Sequence, residues 1–171
     1  MIDGLPDVLG PHPEVLFCGT VIGQCAVERG HHYAGGGDAF WQLLNDAGFT
    51  PRRLSVHDDI TLPSFGLGLT SLVVADTLAE SNPFGVPALV ARVETHQPAW
   101  VAFTGKRAAD LVAKALGHAK PPLGPQTWTI GEASVFVLPS SSSANQRRDY
   151  DGRPNRLDWW RDLAAVVRSE Q

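Results

Sequence analysis

The stretch that decides the fold is Ala99-Trp100-Val101-Ala102-Phe103-Thr104-Gly105-Lys106-Arg107-Ala108-Ala109-Asp110-Leu111-Val112-Ala113-Lys114-Ala115-Leu116-Gly117. Its first five residues are apolar and close on Thr104-Gly105, the pattern of a buried strand. Ala108, Leu111, Val112, Ala115 and Leu116 then fall at i, i+3, i+4, i+7 and i+8 before Gly117, which predicts an amphipathic helix with a glycine stop. Working outward, the same alternation recurs. Val15–Cys18 reads as a buried strand that feeds a loop, Gly19–Ala26. A helix is expected from Asp38 to about Gly48, and a strand from Leu69 to Val74 after a turn-rich segment. Val86, Leu89, Val90 and Val93 keep helical spacing. Trp128–Ile130 and Ser134–Leu138 read as a hairpin about Gly131, and a last helix buries Leu157, Trp160, Leu163, Ala164 and Val167, with Asn155 as its cap. Alternating strands and helices predict an α/β fold, a three-layer αβα sandwich with a central, mainly parallel sheet. Residues 1–171 are expected to form one domain.

Composition narrows the function classes. The chain has 14 basic and 18 acidic residues, a net charge of −4, so bulk electrostatics would not hold it to DNA and any nucleic-acid contact needs a local patch. Apolar runs are too short to span a bilayer and the first residues lack the pattern of a signal peptide, so a cytoplasmic protein is expected. Two cysteines, Cys18 and Cys25, are too few for a four-thiolate zinc site or an iron–sulfur cluster. Cys18, in an apolar run, is expected to be buried. No metal or cofactor is expected, and the chain is expected to be a monomer.

In open α/β sheets ligands bind outside the carboxyl ends of the strands. By that rule Gly19–Ala26, the region after Leu69 and Ser140–Pro154 are candidate site loops. A fourth stretch, Gly30-His31-His32-Tyr33-Ala34-Gly35-Gly36-Gly37-Asp38-Ala39-Phe40-Trp41, puts an aromatic lip and bare glycine backbone ahead of a helix N-terminus. Asp38 sits where a helix N-cap belongs. A pocket wall and a flexible turn are both compatible with this stretch.

Taken together, these segments resemble the mismatch-specific uracil/thymine-DNA glycosylases of the uracil-DNA glycosylase superfamily. Gly30–Trp41 is similar to that family's G-H-H-Y-P-G-P-G-N-x-F-W. Asp58-Asp59-Ile60-Thr61-Leu62-Pro63 with Gly66-Leu67-Gly68-Leu69-Thr70 is similar to its D-D-x-T-L-P and G-I-G-F-T. Val137-Leu138-Pro139-Ser140-Ser141-Ser142 is similar to its second active-site motif, and the likeness runs from about Val15 to Val167. The resemblance implies hydrolysis of the N-glycosidic bond of a damaged or mismatched base (uracil, or thymine opposite guanine) swung out of DNA, in base excision repair. The partner implied is DNA, double-stranded with a lesion or mismatch, or single-stranded.

Such a reaction needs a stacking platform, hydrogen-bond partners for the base, and a stabiliser for the anionic leaving group. Gly19, Val21, His32, Tyr33 and Ser71 are the base-binding candidates, with Tyr33 as the platform. Ser140, Ser141, Ser142, Asn145, Gln146, Arg147 and Arg148 are the DNA-binding candidates, and Arg153 and Arg156 extend the basic cluster. The family's first motif, G-I-N-P-G, is altered: Val21 stands at the asparagine and Ile22 at the proline. Ser71 stands where other relatives carry an aspartate. Asp38, Asp76 and Thr20 are therefore the catalytic candidates, and slow turnover or altered specificity is expected. A catalytically weak or inactive damaged-base binder and an enzyme of free nucleosides are the alternatives.

Overall fold

The computed structural model describes residues 6–22, 24–35, 38–74, 85–145 and 147–170. Five strands form one sheet: β1 (Val15–Ile22), β2 (Leu67–Val74), β3 (Trp100–Thr104), β4 (Gly124–Ile130) and β5 (Ala133–Leu138), in the order β2-β1-β3-β5-β4. All neighbouring pairs are parallel except β4 and β5, the antiparallel hairpin at one edge. Its turn begins at Gly131, whose φ of 56° suits a residue without a β-carbon.

The unbroken apolar runs follow from burial on both faces. In β1, Val15 and Phe17 enter one core and Leu16 and Cys18 the other; β3 divides the same way, Trp100 and Ala102 against Val101 and Phe103. The first core is closed by helices α2 (Phe40–Asp46) and α5 (Arg156–Ser169), through Phe40, Leu44, Trp160 and Leu163. The second is closed by α3 (Gly85–His96) and α4 (Lys106–Ala115), through Leu89, Val93, Ala108 and Val112. The predicted α/β sandwich with a mainly parallel sheet is the fold observed. Cys18 is fully buried, as expected, and desolvation pushes its thiol far above the ordinary range.

Several local expectations change. β1 does not stop at Cys18; it runs on to Ile22 along β2, and a short helix α1 (Gln24–Arg29) takes up most of what reads as a loop. Most of the segment expected to be turn-rich, Asp58–Gly68, belongs to a 3₁₀ helix, Val56–Phe65. The Asp58 carboxylate accepts the Ser55 backbone N–H at 2.9 Å, a capping interaction that supports this helix and holds the acid below the usual carboxylate range. The stripe of α4 is rotated: Ala109 and Ala113 are buried while Ala115 and Leu116 face solvent. Small residues there let the helix lie close to the sheet, a preference that side-chain hydrophobicity alone does not encode. Asn155 stands at the N-cap of α5 but makes no side-chain capping bond.

Candidate active site

Past the carboxyl ends of the central strands lies a cavity of about 390 Å³. Gly19 and Thr20 come from β1, Ser71 from β2, Thr104 from the end of β3, and Ser140, Ser141 and Ser142 from the segment after β5. His32, Tyr33, Gly35 and Asp38 close it from the side. The strand order places these ends together, because β1 lies between β2 and β3 and β3 beside β5.

Gly19 is the hinge of the arrangement. A β-carbon there would stand 3.4 Å from the Tyr33 hydroxyl, 3.5 Å from Thr104 Oγ1 and 3.7 Å from Ser71 Oγ, so the missing side chain is part of the cavity. Pairing between β1 and β3 reaches only Cys18–Phe103, whereas pairing with β2 continues to Ile22–Val74. Among the described residues, the β1 backbone beyond Cys18 thus has a ladder on its β2 side and no registered β3 partner on the other.

Tyr33 is held in two ways. Its ring stacks on Phe40 with centroids 3.9 Å apart and planes 7° from parallel. Its hydroxyl lies 3.0 Å from Thr104 Oγ1. Thr104 in turn donates to the Cys18 carbonyl (3.4 Å), which makes the phenol the donor of the pair. These contacts hold a left-handed backbone, with φ of 53°, that a bulky residue adopts only under constraint from its surroundings. Burial pushes the phenol above its ordinary range, so it stays a neutral O–H donor. Phe40 covers one face of the ring, so a stacked base must use the other.

Asp38 does two things. Its Oδ1 accepts the N–H of Phe40, the first residue of α2 (2.9 Å), but the N-cap place expected of Asp38 falls to Ala39, which makes no side-chain capping bond. It also lines the cavity, and among the described residues it is the carboxylate that does so. Beside it, Ala39 N–H donates to the Ser141 carbonyl (3.0 Å), tying the two walls together.

The serine segment is held both from α5 and by bonds of its own. Arg156, at the start of α5, directs Nη1 at the carbonyls of Ser140 (3.1 Å), Ser142 (3.0 Å) and Asn145 (3.3 Å). Asn145 donates its amide to the Ser140 carbonyl at 2.8 Å. Ser140 Oγ accepts the Ser142 N–H and Ser142 Oγ the Ala144 N–H. A hydroxyl that accepts still has its own proton to donate.

The remaining candidates separate. His32 is buried against the cavity, but its Nε2 bonds the Pro6 carbonyl (2.9 Å) and its backbone N–H bonds Asp59 (3.0 Å). His31 bridges Asp59 (3.2 Å) and His57 (3.1 Å). Arg147 and Arg148 are exposed. Arg153 instead pairs with Asp162 (2.7 Å) and covers the Trp159 ring, and Arg156 is engaged as described, so half of the basic cluster serves the fold. Asp76, Gln146 and the side chain of Val21 lie outside the described residues. Thr104 and Arg107 also line the cavity and were not among the candidates. The strand-end rule that flags three other loops applies equally to Thr104-Gly105-Lys106-Arg107.

Comparison with known proteins agrees with this fold. A solved solution structure of a candidate uracil DNA glycosylase from Methanosarcina acetivorans matches with a TM-score of 0.63 and 22% identity, over 97% of this chain and 96% of that one; at that identity the likeness speaks for the fold. A family model for the uracil DNA glycosylase superfamily matches residues 6–164, nearly the whole chain. The protein therefore belongs to the uracil DNA glycosylase superfamily, and is a DNA glycosylase enzyme by that membership.

Proposed function

We propose that residues 1–171 form one glycosylase domain of the mismatch-specific branch. It releases uracil, or thymine paired with guanine, from DNA as a step of base excision repair. The observation that carries this reading is the shared cavity: Gly19, Tyr33, Asp38, Ser71 and the three serines, scattered over the sequence, all line it.

The chemistry follows from the placement. A base rotated out of the helix enters the cavity and stacks on the open face of Tyr33, offsetting part of the roughly few kcal/mol of unstacking. Ser140 and Ser142 donate hydroxyl protons to phosphates beside the flipped nucleotide. Water attacks the sugar C1′ while the C1′–N bond breaks and its electron pair leaves with the base. Backbone N–H groups on the open side of β1 beyond Cys18 stabilise that anion. Asp38 takes the proton of the attacking water, its other oxygen still capping α2. Thr20 and Ser71 supply hydroxyl contacts to the base, and Arg147 and Arg148 meet the DNA backbone.

The test is base release under single-turnover conditions from single- and double-stranded oligonucleotides carrying uracil, thymine opposite guanine, hypoxanthine or xanthine. Release from uracil or G·T substrates is the expected result. Tight lesion-selective binding without release, or activity on free nucleosides alone, would overturn it.

A further inference from the structure

A second, smaller cavity of about 170 Å³ adjoins the first, and Ser140 lines both. Its apolar lining is Leu123, Pro139 and Tyr150. To one side stands the Lys106–Asp151 ion pair (2.7 Å), and Arg147 lines it as well. Asp151 balances Lys106, so Arg147 leaves the pocket one net positive charge.

The pocket is built rather than a gap in a loose loop. Asp151 accepts the Leu123 N–H at 2.9 Å. Tyr150 and Arg153 exchange backbone bonds (2.7 and 3.3 Å), and Trp159 Nε1 donates to the Tyr150 carbonyl at 2.8 Å. The mechanism above uses neither Leu123 nor Tyr150. A small apolar surface beside a positive charge suits a nucleotide, with a flat base and an anionic phosphate. One shared serine separates the two pockets, which suits two consecutive nucleotides of one strand.

We propose that this pocket holds the nucleotide next to the excised one, its base against Leu123, Pro139 and Tyr150 and its phosphate between Ser140 and Arg147. The inference rests on the reading that the main cavity takes a flipped nucleotide. It makes this enzyme a reader of local context: a neighbour that is unstacked can enter, so the pocket favours single-stranded or locally opened DNA.

The test uses the full chain and single-stranded oligonucleotides with one central uracil. A tetrahydrofuran spacer, which lacks the base but keeps the phosphate, replaces the neighbour on the 5′ side or on the 3′ side. Affinity is read by fluorescence anisotropy and base release by single-turnover kinetics. Removing the base on one side should weaken binding about tenfold, and removing it on the other should change little. Equal losses on both sides, or none on either, would overturn the subsite while release from the intact oligonucleotide upholds the main reading. Failure to bind any of the oligonucleotides would overturn both. Arg147→Ala should weaken intact and spacer oligonucleotides alike and take about one unit from the slope of log affinity against log salt. An unchanged slope would remove Arg147 from the phosphate.

Discussion

The two walls of the cavity are held by opposite means. The tyrosine wall stands on side chains: the Tyr33–Phe40 stack, the phenol on Thr104, and the Asp38 cap on α2. The serine wall stands on backbone carbonyls gathered by one distant guanidinium, Arg156. On one side the groups that face the base are also the groups that build the wall. On the other the hydroxyls of Ser140 and Ser142 accept backbone bonds inside the segment, while its anchor to α5, Arg156, is a separate residue. Substitutions should therefore mix chemistry with structure on the tyrosine wall and separate them on the serine wall.

Asp38 gives the largest expected effect and the sharpest break. Asparagine caps a helix as well as aspartate does, so Asp38→Asn keeps α2 and removes the proton acceptor. Loss of a positioned general base lowers the rate by roughly 10²–10⁴-fold. Single-turnover base release should fall within that range while the melting temperature stays unchanged. A full rate would leave Asp38 as a cap alone.

Tyr33 comes next. Stacking of a base on an aromatic ring is worth about 1–3 kcal/mol, so Tyr33→Ala should weaken substrate binding by roughly 5- to 150-fold. Tyr33→Gly should show the same loss of binding with a better-tolerated backbone, because glycine accepts a φ of 53° without a side-chain clash. Tyr33→Phe, which keeps the ring and loses the Thr104 bond, should fall between these variants and the native protein. Equal binding by Tyr33→Ala and the native chain would move the platform elsewhere.

Arg156 tests the other wall. Hydrogen bonds from a charged donor contribute about 1.5–3 kcal/mol each at most. Because Arg156 is partly solvated, Arg156→Ala should lower stability by on the order of 2 kcal/mol in denaturant melts. In the enzyme that remains folded, KM for DNA should rise with kcat little changed, since the hydroxyls lose their orientation and no reacting group is removed. A fall in kcat at constant KM would mean that the serine segment touches the reacting bond.

These differences also explain what could be read from the chain in advance. The strands were legible because two-sided burial leaves apolar runs, as in Val15–Cys18 and Trp100–Phe103. The Asp38 carboxylate at the start of α2 and the three serines at a strand end were legible because their positions obey local rules, although the N-cap place itself falls to Ala39. The continuation of β1 through Thr20 to Ile22 was not, because Gly19, a residue of low strand preference, interrupts the apolar run and the pairing with β2 is what carries the strand past it. Sequence alone groups Arg156 with Arg147 and Arg148, since composition cannot tell a guanidinium that faces phosphate from one that gathers carbonyls. The Tyr33–Thr104 pair joins residues 71 positions apart, and no local pattern marks it.

The smallest expected effect concerns acid. Asp151 lies beyond the serine wall, and the Leu123 N–H and the Lys106 ammonium hold its carboxyl below the ordinary value of 3.8. A carboxylate whose pKa is lowered by folding adds stability that is fully present above its unfolded value. That stability fades as the pH drops below 3.8 and is gone once the pH has passed the depressed folded value. Asp151→Asn should thus be less stable than the native chain at neutral pH, with the difference closing in acid. Part of the carboxylate is exposed, and exposed ion pairs contribute about 0–1 kcal/mol, so the gap in urea melts at pH 7 should stay within that range and shrink in strong salt. On the tyrosine wall, Asp38→Asn should show no such stability gap at pH 7, because asparagine replaces the cap. If both variants lose stability equally, the distinction between a wall built on caps and stacking and one supported by charge fails at this point.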